Sequence, residues 1–154
     1  KIKKRNKNFH ARFSAIRRTY KYFIINRNSS LVFNKNRVWH IRKKLNVKLM
    51  KKGANMLKGT HDFSTFRASS CNAKTPIKTL EKISIKKSKE KIVFTFMSKS
   101  FLQHQVRSMV GCLKYLGEGK WETKDFQEVF QSRKRSKCAY LAPPYGLYLA
   151  KVEY

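Results

Sequence analysis

The chain has 154 residues, enough for one modest domain with a real core but not for two large ones. Lysine and arginine number 37 against 8 aspartates and glutamates, a net charge of 37 − 8 = +29 spread from Lys1 to Lys151; a polyanionic partner, nucleic acid first, is expected, although so much Lys, Asn and Ile also fits drift toward A/T-rich codons. No apolar run approaches the roughly 20 residues that cross a bilayer, and the scattered Cys71, Cys112, Cys138, His10, His40, His61 and His104 give neither a disulfide framework nor zinc-ligand spacing, so a soluble chain in a reducing cytoplasm, without membrane or structural metal, is expected.

The opening "KIKKRNKN" is charged but lacks the apolar core of a signal peptide. Residues 1–8 are therefore read as a basic segment ahead of one domain over 9–154. Residue 1 is not Met, which raises the expectation of a trimmed start or of a part of something longer. "RTYKYFIIN" (18–26) and "VWHIR" (38–42) are rich in aromatic and β-branched residues and read as two strands, paired as a hairpin across polar residues. Asn46 is a good N-cap for a helix through Leu57, with Val47, Met50, Ala54 and Leu57 on one face and Gly59 closing it. "TLEKISIKK" and "KIVFTFMSK" form a second strand pair around a polar turn at Ser88-Lys89-Glu90, with Ile92, Phe94 and Phe96 on one side. A helix follows from about Phe101 to Leu116, stopped by "GEG"; then comes a short helix after Thr123 and a last strand in "LYLAKVEY". The order β-β-α-β-β-α-α-β predicts an α+β domain whose mainly antiparallel sheet is covered by helices on one face.

The helix around "FLQHQVRSMVG" holds the most informative pattern. Leu102, Val106, Met109, Leu113 and Leu116 repeat at helical spacing and form its buried stripe, which puts Gln103, His104, Arg107 and Gly111 on the opposite side. A glycine inside a helix costs about 1 kcal/mol relative to alanine, so something is expected to approach the backbone at Gly111. Periodicity alone leaves two readings of that face: a solvated polar surface, or a site.

"FLQHQVRSMVG", with "LGEGKW" and "RSKCAYLAPPYGLYLAKVEY" after it, resembles the C-terminal segment of the tRNA pseudouridine synthase A family. "FHARFSAIRRTYKYFIIN" and "GTHDFSTFRASSCNAKTPIKTL" resemble two further blocks, in the family's order, so the likeness covers 9–154. The resemblance implies uridine isomerisation in the anticodon stem-loop of tRNA, without cofactor, by a homodimer whose RNA cleft spans subunits. The target base is flipped from its stack into a pocket, where an aspartate acts as nucleophile. It further implies that Tyr20 stacks on the flipped uracil, that Leu147 packs against it, and that Arg107 pairs with the aspartate and keeps it ionised. Arg12, Arg67 and His104 are assigned to RNA contacts, with plain surface charge an open alternative for the two arginines.

One departure from the family is large. Its aspartate stands in an Arg-Thr-Asp-Ala-Gly motif ahead of "FHARFSA", and these 154 residues contain no such motif. Asp62 and Asp125 are the only aspartates; Asp62 falls in a different block, and Asp125 sits early in a helix where it suits the dipole. Gln103, Ser108 and Tyr145 depart from the family's usual basic residue, Asn and His. The expectation is a synthase polypeptide corresponding to the C-terminal portion, N-terminally truncated, without its nucleophile and inactive alone, with tRNA and either a second copy or a complementary N-terminal half as partners. Two other readings stay open: an inactive basic RNA-binding module, and a ribosome-associated basic protein.

Overall fold

The protein is described by a computed structural model that covers residues 4–154; residues 1–3 of the expected basic segment lie outside the described residues. Among the described residues, seven strands and three α-helices run in the order β1 (Arg17–Asn26), β2 (Trp39–Ile41), α1 (Val47–Met56), β3 (Gly59–Asp62), β4 (Ile77–Leu80), β5 (Lys82–Ser88), β6 (Lys91–Ser98), α2 (Gln105–Gly117), α3 (Thr123–Gln131) and β7 (Leu147–Glu153). This is the α+β class that the sequence predicts. Among the described residues no helix is long and apolar enough to cross a membrane.

β1 is the spine of the main sheet. Along one edge it pairs antiparallel with β6, from Arg18 opposite Ser98 to Ile25 opposite Lys91, and β6 pairs in turn with β5. Its other edge is divided: antiparallel β7 takes Arg17 to Tyr22, and β2 takes Ile24 to Asn26. The β1–β2 pair is parallel, which corrects the expected hairpin. The cause is the length of segment 27–38, since a hairpin turn uses two to five residues while a parallel return needs a crossover of about a dozen. Asn34 and Asn36 adopt the left-handed conformation within that crossover. Asn26 then fixes the return, donating from Nδ2 to the carbonyls of Ile41 (2.9 Å) and Lys43 (2.8 Å) and accepting at Oδ1 from the Leu45 amide (3.1 Å).

Alternation along the strands decides which face is covered. Tyr22, Ile24, Ile92, Phe94, Phe96, Ile83 and Ile85 are buried on one side. They share a core with Met50, Ala54 and Leu57 of the α1 region, Met109, Val110, Leu113 and Leu116 of α2, and Phe126 of α3. Each of the large aliphatic and phenylalanine side chains among them stabilises the fold by about 1.5–3 kcal/mol through burial. Asn46 caps α1, its Oδ1 accepting from the Leu49 amide at 3.2 Å.

Three local expectations change. "TLEKISIKK" is not one strand: Thr79 and Leu80 belong to β4, which pairs with β3 in a separate two-stranded sheet, and the chain steps at Glu81 into β5. Gly59 does not close α1; Leu57 caps the helix, and Gly59, at φ +107°, opens β3. Helix α2 begins at Gln105 rather than Phe101. The Gln105 side chain turns back to accept from the buried Leu102 amide at 2.8 Å, and His104 takes a left-handed φ of 63°, so 101–104 form a turn before the helix.

Candidate functional site

That turn is one wall of a cleft of about 640 Å³. β1 contributes Tyr20, whose half-buried ring meets Phe101 edge-on at 5.2 Å and 89°. The start of β7 contributes Leu147, in register with Tyr22. The first turn of α2 contributes Arg107, the turn before it His104, and the segment ahead of β1 Arg12. Five of the six residues singled out from the sequence thus line one cleft. Arg67 is the exception: its Nη2 donates to the carbonyls of Cys71 (2.5 Å) and Ala73 (2.8 Å), so it braces the loop whose Cys71, Asn72 and Ala73 also line the cleft.

Arg107 is held from behind. Its Nε donates to the Ala142 carbonyl at 2.6 Å, and the Ala142 amide donates back to the Arg107 carbonyl at 3.3 Å. The segment carrying Ala142 can come this close because Gly111 has no side chain; a Cβ there would stand 1.9 Å from the Tyr140 carbonyl oxygen. The close approach expected at Gly111 is therefore this carbonyl. Tyr22, fully buried, ties the next residue by donating from its hydroxyl to the Pro143 carbonyl at 2.7 Å, and burial raises its phenol pKa above the ordinary range. These contacts clamp 140–143 between β1 and α2 and set the guanidinium at the cleft.

The electrostatics are one-sided. The cleft lining includes Arg12, His104 and Arg107 and no acidic residue, and among the described residues no carboxylate pairs with Arg107. Local desolvation, then the nearby Arg107 and Arg135, lowers the pKa of the largely exposed His104 below its ordinary value. Both aspartates are used locally: Asp62 accepts from the Ser64 amide at 2.8 Å, and Asp125 accepts from the Glu122 amide at 2.8 Å at the start of α3. A site with flat apolar walls in Tyr20, Phe101 and Leu147 and a guanidinium without a counter-ion can take a planar ring and hold an anion beside it.

Sequence reasoning did not find the carbonyl clamp on Arg107, the bracing by Arg67, or the contact of Ser108, noted only as a departure from the family's Asn; its buried hydroxyl accepts from Arg135 Nη1 at 2.8 Å. It also gave no sign that Cys112 and Cys138, 26 residues apart, lie with their sulfurs 3.5 Å apart. Apart from the Arg67 brace, which spans four to six residues, these contacts join positions far apart in sequence, and no local pattern reports them.

A family model described as tRNA pseudouridine synthase matches residues 54–154. The chain is 59% identical over 153 residues to tRNA pseudouridine synthase A of Pelagibacter ubique, covering 99% of the chain and 62% of that protein. It is 47% identical to the protein of the same description from Bartonella henselae and 42% identical to that from Erythrobacter litoralis, in each case over 146 residues, 95% of the chain and 59% of the relative. The chain spans about three fifths of the length of these curated relatives.

Proposed function

The chain belongs to the tRNA pseudouridine synthase family, and on that premise we propose that it supplies the base-binding cleft and the arginine of an enzyme that isomerises uridine to pseudouridine in the anticodon stem-loop of tRNA. The observation that carries the reading is the gathering of Tyr20, Leu147 and Arg107 around one cleft that is basic and free of carboxylates. A uridine flipped from its stack lies with one face on Tyr20 and its edge toward Leu147. An aspartate from outside these 154 residues enters beside Arg107. The guanidinium keeps that carboxylate ionised and nucleophilic where partial burial alone would protonate it. The N1–C1′ bond breaks, the ring turns, a C5–C1′ bond forms, and the proton on C5 is lost while N1 gains one, so the product is an isomer and no cofactor is consumed. The protein works in the cytoplasm, as a homodimer or with a complementary half that brings the aspartate.

A second reading follows from the same missing acid. Without an aspartate delivered to Arg107 the cleft still attracts RNA, and the chain is then a binding module without chemistry.

The test adds a separately expressed polypeptide carrying the Arg-Thr-Asp-Ala-Gly motif and follows tritium release from tRNA labelled at uridine C5. Activity is expected only in the mixture. Arg107→Lys and Arg107→Ala should lower turnover by roughly 100-fold with little change in RNA affinity, since the lost contact acts on the carboxylate. Full turnover by Arg107→Ala, or pseudouridine made by the chain alone, overturns the proposal; RNA binding with no activity in any mixture favours the binding module.

A further inference from the structure

Beside the cleft lies a second cavity of about 450 Å³ that shares Arg12, Tyr20, Ala73 and Phe101 with it. Four cations from separate parts of the chain line it: Arg12 ahead of β1, Arg18 on β1, Lys78 on β4 and Lys99 directly after β6. No acidic residue is among its lining. Like charges drawn into one cavity repel. Here backbone tethers, rather than carboxylates, keep them together. Arg18 donates from Nη1 to the Lys99 carbonyl and from Nη2 to the Arg12 carbonyl, so one side chain fixes the two segments that carry the other cations. Ser98, buried at the end of β6, has its hydroxyl 2.7 Å from the carbonyls of both Thr79 and Ser100. That contact locks β4 to the turn after β6 and sets Lys78 beside Lys99. Phe13, 73% exposed, forms part of the rim.

We propose that this cavity holds one backbone phosphate of the RNA strand, next to the nucleotide that enters the cleft, with the neighbouring base laid on Phe13. The inference rests on the reading of the cleft as the uridine site. Arg12, Lys78 and Lys99 contact the phosphate, and Arg18 is a positioning residue. Ammonium and guanidinium groups on a phosphate fix register and carry no base preference, whereas an exposed aromatic beside them is the usual platform for an unpaired base.

The experiment measures binding of a fluorescent anticodon stem-loop RNA by anisotropy across a salt series. The protein is compared with Lys78→Ala/Lys99→Ala and with Lys51→Ala/Lys52→Ala, which removes equal charge from the exposed side of α1. The first pair should reduce the slope of log K against log salt by about 0.7–0.9, the value of one phosphate, and the second should leave it unchanged. Phe13→Ala should weaken binding about tenfold at unchanged slope. Single methylphosphonates placed one at a time around the target uridine should weaken the unsubstituted protein at one position and have no further effect there on Lys78→Ala/Lys99→Ala. Equal slope changes in the two lysine pairs, or no such position, overturns the inference while leaving the cleft reading intact. A protein without affinity for the RNA overturns both.

Discussion

Gly111→Ala puts the clamp behind Arg107 to a test in which the sign of the effect decides. At an open position inside a helix the substitution stabilises, because alanine is favoured over glycine by about 1 kcal/mol. At Gly111 the new methyl would lie 1.9 Å from the Tyr140 oxygen, against a shortest ordinary C···O contact of about 3.3 Å. The carbonyl must therefore retreat by roughly 1.4 Å, and it belongs to the segment fixed at Ala142 by Arg107 and at Pro143 by Tyr22. Overpacking of this kind costs about 1–3 kcal/mol, and a weakened buried hydrogen bond adds about 1 kcal/mol. After the propensity gain, the net is a loss of about 1–3 kcal/mol. With an m-value of about 2 kcal/mol per molar, the urea midpoint should fall by about 0.5–1.5 M at unchanged m. The same movement withdraws the Ala142 carbonyl from Arg107 Nε, so turnover in the mixture with the aspartate-bearing polypeptide should fall as well, with RNA affinity little changed. A Gly111→Ala protein as stable as the parent, or more so, refutes the close approach and with it the account of how Arg107 is held.

Tyr22→Phe should cost about 1–2 kcal/mol at pH 7 by leaving the half-buried Pro143 carbonyl unpaired. Because the folded phenol pKa is raised above the unfolded value of 10.0, the parent's stability is fully present below pH 10 and declines as pH rises beyond it; denaturant midpoints should show that decline in the parent and its loss in Tyr22→Phe. His104 should titrate below 6.5 when its ring protons are followed by NMR. Its lowered folded pKa makes a contribution to stability that is present above pH 6.5 and lost as pH falls through the folded pKa; Arg135→Gln should move the midpoint upward.

Features that depend on one local stretch were legible, and those that depend on distant partners were not. Asn46 announced the start of α1 because an N-cap acts within three residues, and Ile92, Phe94 and Phe96 announced the buried side of β6 because alternation is a property of the strand itself. The start of α2 was misplaced because Leu102 continues the apolar stripe, although its amide is satisfied by the Gln105 side chain and not by a helical carbonyl. The pairing of β1 with β2 was misread because the polar residues between them read as a turn although their number suits a crossover, and "GTHD" is too short and polar to read as a strand. Gly111 was legible as a close approach, but not what approaches; the answer, Tyr140, lies on the far side of α3 in sequence. The gathering of Tyr20, Arg107 and Leu147 came from likeness to a family, since each alone is an ordinary strand aromatic, helix cation or core leucine.

The divided edge of β1 also bears on how the chain acquires its structure. Arg17 meets Glu153 across a separation of 136 residues, and β6 is already some seventy positions from β1. A strand made early must wait, with much of one edge unpaired, until residues 147–153 have left the ribosome. Folding of this sheet is therefore dominated by non-local closure and should be slow beside that of a helical protein of similar size. During that interval the aromatic run of β1 is an adhesive surface, and its flanking arginines and lysines, the same charges that would later draw RNA, keep nascent copies apart by repulsion.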